Sequence, residues 1–244
     1  MSASRQRADR VLVDRGFFDS RAKARAAIDA GLVTADGRMV RKASEEIPAG
    51  AVLHASATHP YVSRGGTKLA AAFDHFKFDP AGRVCLDVGT STGGFTQVLV
   101  ERGARLVYAV DVGTGQLHAT LRDMPQIQLF ENTDIRALPA SSLREPPDLI
   151  TVDTSFISLK LVLPAALALA KMPAQLVALI KPQFEAGRAA VKKGIVRDPS
   201  VRAAVRRDLS DFVTSLGWRV AGTIDSPIKG ADGNVEFLLG AIHD

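Results

Sequence analysis

Apolar positions recur at helical spacing at Ala8, Val11 and Leu12, with Arg7, Arg10 and Arg15 on the other faces, predicting a helix over 7–15 that stops at Gly16. Asp19-Ser20 offers an N-cap for a second helix over 21–30, closed by Gly31, whose exposed face would carry Arg21, Lys23 and Arg25. Leu32-Val33-Thr34 and Arg38-Met39-Val40 then flank the turn Ala35-Asp36-Gly37, a hairpin signal. Ile47-Pro48-Ala49-Gly50 reads as a turn and 51–54 as a last short strand. Residues 56–63, polar at first with a stop at Pro60, read as a linker. Beyond it, apolar strands are predicted at 84–88, 106–110, 127–130, 149–152, 176–180, 220–224 and 235–242. Helices are predicted at 93–102, 157–170 and 199–215, the last entered through Asp198 as N-cap and Pro199 at its first position. Alternation of this kind predicts a doubly wound α/β sheet over 64–244, preceded by a small α+β domain over 1–55.

Composition narrows the function classes. At 46% hydrophobic and 23% charged, the chain is typical of a soluble globular protein. Its longest apolar run, 161–170, is closed by Lys160 and Lys171, about half of the roughly 20 residues a membrane span needs. No apolar core follows the charges of MSASRQRADR, so no secretory signal is expected. The single cysteine, Cys85, excludes an intrachain disulfide and a multi-cysteine metal cluster. A reducing, cytoplasmic setting without a structural metal fits. Residues 1–68 hold 12 Lys and Arg against 7 acids, which is the whole net charge of +5. A short basic module beside a neutral one reads as a polyanion-binding attachment or, more plainly, as a solubilising face.

The stretch RADRVLVDRGFFDSRAKARAAIDAGLVTADGRMVRKASEEIPAG, most specifically SRAKARAAIDAGLV followed by a DG turn, resembles the S4-type RNA-binding domain. The resemblance implies that Arg21, Lys23, Arg25 and Lys42 contact the sugar–phosphate backbone of structured RNA. Phosphate neutralisation then supplies affinity, and shape supplies selectivity.

In doubly wound sheets, ligands lie outside the carboxyl ends of the strands. There the chain has Asp87 and Gly89, then Asp111, Asp134, Asp153 and Lys181 at five consecutive strand ends. The first turn runs Asp87-Val88-Gly89-Thr90-Ser91-Thr92-Gly93-Gly94-Phe95, glycines allowing close approach of a ligand at a helix N-terminus. Ser91 breaks the dinucleotide fingerprint GxGxxG, and the GK[ST] ending of a phosphate-binding P-loop is missing. An acid before the first glycine, Asp111 for a ribose hydroxyl pair and Asp134 near an adenine together fit S-adenosylmethionine; a tight structural turn is the alternative. Candidate cofactor residues are therefore Asp87, Gly89, Ser91, Gly93, Gly94, Phe95, Asp111, Asp134 and Asp153.

Asp153-Thr154-Ser155-Phe156 departs from the [DN]PP[YF] of amino-nitrogen methyltransferases, and Cys85 lies inside a strand where it cannot serve as the thiol of cytosine carbon methylation. A ribose 2′-hydroxyl remains as acceptor, and its weak acidity calls for a base. Lys181 could serve where burial and a second cation favour the neutral amine. Lys68, Asp153 and Glu236 can supply the cation and the orienting carboxylates if the fold closes on them. Glu236, inside the apolar stretch Val235-Glu236-Phe237-Leu238-Leu239, would need a partner when buried.

With YVSRGGTKL at 61–69, LDVGTSTGGFTQVL at 86–99, VYAVDVGTGQL at 107–117, LITVDTSFISL at 149–159, LIKPQFEAGR at 179–188, KKGIVRDP at 192–199 and SPIKGADGNVEFL at 226–238, the chain is similar to the TlyA family. That family, historically labelled hemolysin A, joins an S4-type domain to an FtsJ-like rRNA methyltransferase domain. The resemblance implies a Lys-Asp-Lys-Glu tetrad at Lys68, Asp153, Lys181 and Glu236. It further implies 2′-O-methylation of cytidine in ribosomal RNA, on ribosomal subunits or the ribosome, with S-adenosylmethionine as methyl source. Arg188, Lys192, Lys193 and Arg197 form a basic loop expected to seat RNA above the catalytic edge. Arg64 is a further candidate RNA contact, in the segment Tyr61 and Ser63-Arg64-Gly65-Gly66, where RNA binding could reorganise the cofactor pocket. Three other classes compete: a membrane-lytic protein, against which the absence of a spanning segment and of a cationic amphipathic helix argues; an inactive RNA-binding assembly factor, against which the intact tetrad argues; and a methyltransferase with another acceptor atom.

Overall fold

The computed structural model describes residues 5–18, 20–56, 59–230 and 233–244, and the chain divides into two compact units, Met1–Pro60 and Tyr61–Asp244. Asp19, expected in a helix cap, and residues 57–58 of the expected linker lie outside the described residues.

The first unit runs β1 (Arg5–Arg7), α1 (Ala8–Asp14), α2 (Arg21–Asp29), β2 (Val33–Ala35), β3 (Arg38–Met39), β4 (Glu46–Pro48) and β5 (Leu53–Ala55). Ser20 caps α2 by accepting from the Lys23 amide. Asp36 and Gly37 both take left-handed backbone, the conformation that closes a two-residue hairpin between β2 and β3. Two expectations change here. Arg7 belongs to a strand, and Ile47-Pro48, read as a turn, pairs antiparallel with Gln6 and Arg5. Ile47 is buried while Glu46 is exposed, a period-two signal in a stretch where Pro48 suggested only a turn; proline is tolerated because the strand is an edge. Leu12, Ile28 and Val33 centre a small core of their own.

The second unit opens with α3 (Gly65–Phe76), followed by β6 (Val84–Val88), α4 (Gly94–Glu101), β7 (Leu106–Val110), α5 (Ala119–Arg122), β8 (Ile127–Phe130) and β9 (Leu149–Val152). Then come α6 (Leu159–Ala168), β10 (Ala174–Ile180), α7 (Pro182–Glu185), α8 (Pro199–Ser215), β11 (Arg219–Asp225) and β12 (Phe237–His243). One seven-stranded sheet in the order β11-β12-β10-β9-β6-β7-β8 results, in which β12 alone runs against the others. Strand alternation divides the core. Leu86, Val88, Ile150 and Val152 face α6 and α8, whereas Cys85, Val107 and Leu179 face α3 and α4. Each such large side chain withdrawn from water stabilises the fold by about 1.5–3 kcal/mol before entropy is subtracted. Among the described residues no helix is long and apolar enough to cross a membrane.

The chain direction reverses its winding at β6 and β9, which lie side by side in the middle of the sheet. Their carboxyl ends carry Gly89 and Asp153, and this crevice is where a doubly wound sheet binds its ligand. Because β12 is antiparallel, its beginning reaches the same edge. The ladder pairs Ile180 with Phe237, so the next residues outward, Lys181 and Glu236, are neighbours at the rim.

Candidate active site and nucleic-acid interface

A cleft of about 560 Å³ opens on this edge, and Lys68, Asp153, Lys181 and Glu236 all line it. They form two ion pairs. Lys181 Nζ lies 2.6 Å from Asp153 Oδ1 and donates to Ser155 Oγ at 2.8 Å. Lys68 Nζ donates to Glu236 Oε2 at 2.6 Å, both side chains buried. Lys68 reaches the cleft from the first turn of α3, a helix the sequence pattern did not reveal. At its opening, Gly66 sits against the Tyr61 ring, where any larger residue would overlap it. Tyr61 to Ser63, expected to be linker, packs on the second unit. The Val62 amide donates to Gln97 Oε1 at 2.6 Å, and Arg64 lines the cleft. Glu236 precedes β12 by one residue instead of lying inside a strand, and the pairing with Lys68 supplies the partner its burial requires.

A second cavity of about 370 Å³ shares Gly89, Ser91, Asp153, Ser155 and Phe156 with the first and extends to Asp111 and Asp134. The Asp111 carboxylate is held by two backbone amides, Ser91 at 2.8 Å and Gly113 at 2.7 Å. Each oxygen retains acceptor capacity for a hydroxyl. Asp134 caps a short 3₁₀ turn and pairs with Arg136 at 2.6 Å, which holds its carboxyl below the usual carboxylate range. The Thr154 hydroxyl is buried without a partner among the described residues. Gly89 has φ +85° and touches the opposite loop so closely that a Cβ would stand 2.5 Å from the Asp153 carbonyl oxygen.

Two expected cofactor residues lie elsewhere. Asp87 is fully buried, its oxygens accepting from Thr96 Oγ1 at 2.6 Å and Thr151 Oγ1 at 2.9 Å, and it lines neither cavity. Burial pushes its carboxyl up to about 6, against those two hydrogen bonds. Gly93 packs on Leu117 and Leu121 at the entry to α4. Both therefore shape the first turn from behind; Gly94 and Phe95 line the cleft of the two ion pairs and not the cavity that reaches Asp111 and Asp134.

Sequence reasoning passed over Phe156. It is 90% exposed, has φ +65°, and its ring centroid lies 5.1 Å from that of Phe184 at the rim of both cavities. A solvent-facing aromatic on left-handed backbone is costly unless used. The available signal was that Asp153-Thr154-Ser155-Phe156 keeps the aromatic of [DN]PP[YF] while losing the prolines.

In the first unit, Arg21, Arg25 and Lys42 meet around one groove together with Arg7. Buried Asp9 accepts from Arg7 Nε at 3.0 Å and Arg21 Nη2 at 2.7 Å. The guanidiniums hold its carboxyl at about 2, although burial opposes them. Lys23 does not line this groove. In the second unit, Lys192 and Arg197 flank a small hollow, Lys193 occupies the adjoining turn, Arg188 starts a 3₁₀ turn, and Val191 and Gly194 of the same stretch wall the cleft of the two ion pairs.

A Rossmann-type sheet whose ligand edge carries two lysine–carboxylate pairs, joined to a small basic α+β unit, defines a methyltransferase with an RNA-binding attachment. The FtsJ-like methyltransferase family model matches residues 61–242 and the S4 domain model residues 6–53. Over 245 residues the chain is 43% identical to the 16S/23S rRNA (cytidine-2′-O)-methyltransferase TlyA of Mycobacterium tuberculosis, across 97% of this chain and 90% of that protein. Over 180 residues it is 41% identical to the 23S rRNA (cytidine-2′-O)-methyltransferase TlyA of Campylobacter jejuni, across 73% of this chain and 69% of that one. A solved structure from Streptococcus thermophilus, named as a hemolysin, superposes with a TM-score of 0.78 at 38% identity, covering 99% of this chain and 90% of that one. The chain belongs to the TlyA family of FtsJ-like methyltransferases.

Proposed function

We propose that this methyltransferase acts in the cytoplasm on the 2′-hydroxyl of a cytidine in ribosomal RNA, presented on ribosomal subunits, with S-adenosylmethionine as methyl donor and Lys181 as base. The observation that carries the reading is the convergence of Lys68–Glu236 and Lys181–Asp153 on one cleft beside a nucleoside-sized cavity. The residues fit the cofactor. Asp111, already oriented by two amides, accepts ribose hydroxyls, Asp134 and Ile135 flank the base, and the unpartnered Thr154 hydroxyl is available to a polar group of the ligand. S-adenosylmethionine supplies an electrophilic methyl group when bound.

The chain's own residues handle the proton and the developing charge. Lys181 Nζ takes the proton of the 2′-hydroxyl; Asp153 at 2.6 Å pairs with the ammonium that results, and Ser155 fixes its direction. Lys68 spends one N–H on Glu236 and has others for the ribose oxygen as it gains charge. Phe156 offers a ring face on which an unstacked base rests. The groove of Arg7, Arg21, Arg25 and Lys42 and the basic stretch Arg188 to Arg197 bind phosphates, and Arg64 adds a cation at the cleft itself.

Transfer of labelled methyl from S-adenosylmethionine to purified ribosomal subunits tests this, with Lys181→Ala as control and nuclease digestion to nucleosides. The expected product is 2′-O-methylcytidine, with the rate in the variant reduced by about 10²–10⁴-fold, the range of a lost general base. Label in a base methyl overturns the 2′-hydroxyl as acceptor. Full activity of Lys181→Ala removes Lys181 as base, and no label despite cofactor binding favours an assembly factor.

A further inference from the structure

The basic stretch after β10 contains a two-residue hairpin turn. Lys192 and Ile195 exchange backbone hydrogen bonds at 3.0 and 3.1 Å, and Lys193 and Gly194 between them both have positive φ. So short a hairpin has little stability of its own. What holds it comes from some forty residues away. Asn234, 2% exposed, donates from Nδ2 to the Gly194 carbonyl at 2.8 Å and accepts at Oδ1 from the Val196 amide at 3.2 Å. The side-chain amide thus pairs with the hairpin backbone as a neighbouring strand would, and both of its polar ends are satisfied. The Asn234 backbone carbonyl in turn accepts from the Gly230 amide at 2.9 Å, and Gly230 packs directly on the Glu236 carboxylate. Val191, Gly194, Gly230 and Glu236 then form one wall of the catalytic cleft.

We propose that Asn234 is a positioning residue that sets the Lys192–Ile195 hairpin against the Glu236 wall, so that the cations of this stretch stand in fixed register with the cleft and seat the RNA. This rests on the reading of the basic stretch as an RNA contact. Asn234 touches neither the reacting atoms nor the cofactor cavity. Its loss therefore weakens RNA seating while the chemistry of bound RNA persists. Only a residue of this length with one donor and one acceptor spans the two backbone groups: aspartate lacks the donor, serine falls short, and leucine offers neither.

The test is steady-state methylation of purified ribosomal subunits by the full chain, with Asn234→Ala, Asn234→Ser, Lys192→Ala/Lys193→Ala and the combined triple variant, each checked for a native thermal transition. The two asparagine variants are expected to raise KM for RNA by about tenfold, with kcat changed less than about twofold and S-adenosylmethionine affinity unchanged. The triple variant is expected to be no worse than the lysine pair alone, because the asparagine acts through the hairpin. Multiplicative losses in the triple variant, or a fall in kcat at unchanged KM, overturn the proposal. A lysine-pair variant with normal KM overturns instead the reading of the stretch as an RNA contact, and the positioning role falls with it. Asn234→Ser keeps a hydroxyl at the site, so a folding failure confined to Asn234→Ala leaves the outcome readable.

Discussion

Asp87 carries a charge that the surrounding fold disfavours. Its carboxylate is fully buried beneath the first turn, and Thr96 and Thr151 offset only part of the desolvation that lifts it to about 6. The unfolded chain releases this proton at about pH 4. Between pH 4 and 6 the folded state therefore binds more protons at this site than the unfolded state, so its contribution to stability falls as pH rises through that window. Asp87→Asn removes the titration. The unfolding free energy of the wild type minus that of Asp87→Asn, measured in urea, is expected to decline from pH 4 to 6 and to stay level above it; a difference independent of pH would contradict the buried-acid account. The same residue marks how far single positions could be read. An acid before the first glycine was legible as part of a nucleoside-binding turn, but which strand face it occupies depends on register. Asp111 and Asp153 sit one residue past β7 and β9 and reach the crevice, whereas Asp87 lies within β6 and turns into the sheet toward Thr151.

The loops after β9 and β10 carry Asp153 and Lys181, and Glu185 ties them together. Its Oε2 accepts from Ser158 Oγ at 2.6 Å and its Oε1 from the Leu159 amide at 2.8 Å, so a residue of α7 completes the N-cap of α6. Burial raises its carboxyl above the usual carboxylate range, and these two donors act in the other direction. Glu185→Ala is expected to lower stability by about 1–2 kcal/mol, the cost of a lost cap with buried donors left open. Glu185→Gln, which keeps the length and one acceptor, should lose less, as denaturant unfolding would report. An equal loss in both would mean that shape does not matter at this strut. At this scale the strands and α8 were legible because long apolar periodicity and the Asp198-Pro199 start dictate them locally. Helix α3 was not, since Gly66 is explained by the Tyr61 ring and Gly65 by its close fit to Ser63, Phe95 and Asp153, contacts absent from periodicity. The β1–β4 pair escaped for a related reason, being a three-residue pairing between segments about forty positions apart.

The basic excess of the first 68 residues was legible from composition alone, but the boundary between the two units divides it, because Arg64 and Lys68 belong to the second unit's cleft. The first unit holds 10 Lys and Arg against 7 acids, and there Arg7, Arg21, Arg25 and Lys42 gather at one groove while buried Asp9 fixes the first two. The two ion pairs contribute no net charge at the carboxyl edge of the sheet. Binding to ribosomal RNA should then follow a steep line of log K against log salt. Removing Arg21, Arg25 and Lys42 should flatten its slope by about one per cation. At saturating RNA the triple variant should still transfer methyl at close to the wild-type kcat, whereas Lys181→Ala should keep the full salt slope and lose transfer. Filter binding across a salt series, paired with single-turnover methylation, reads both quantities on the same preparations. A triple variant with an unchanged slope would remove the groove from the RNA interface. A tetrad variant with a flattened slope would mean that the cleft itself supplies part of the electrostatic attraction.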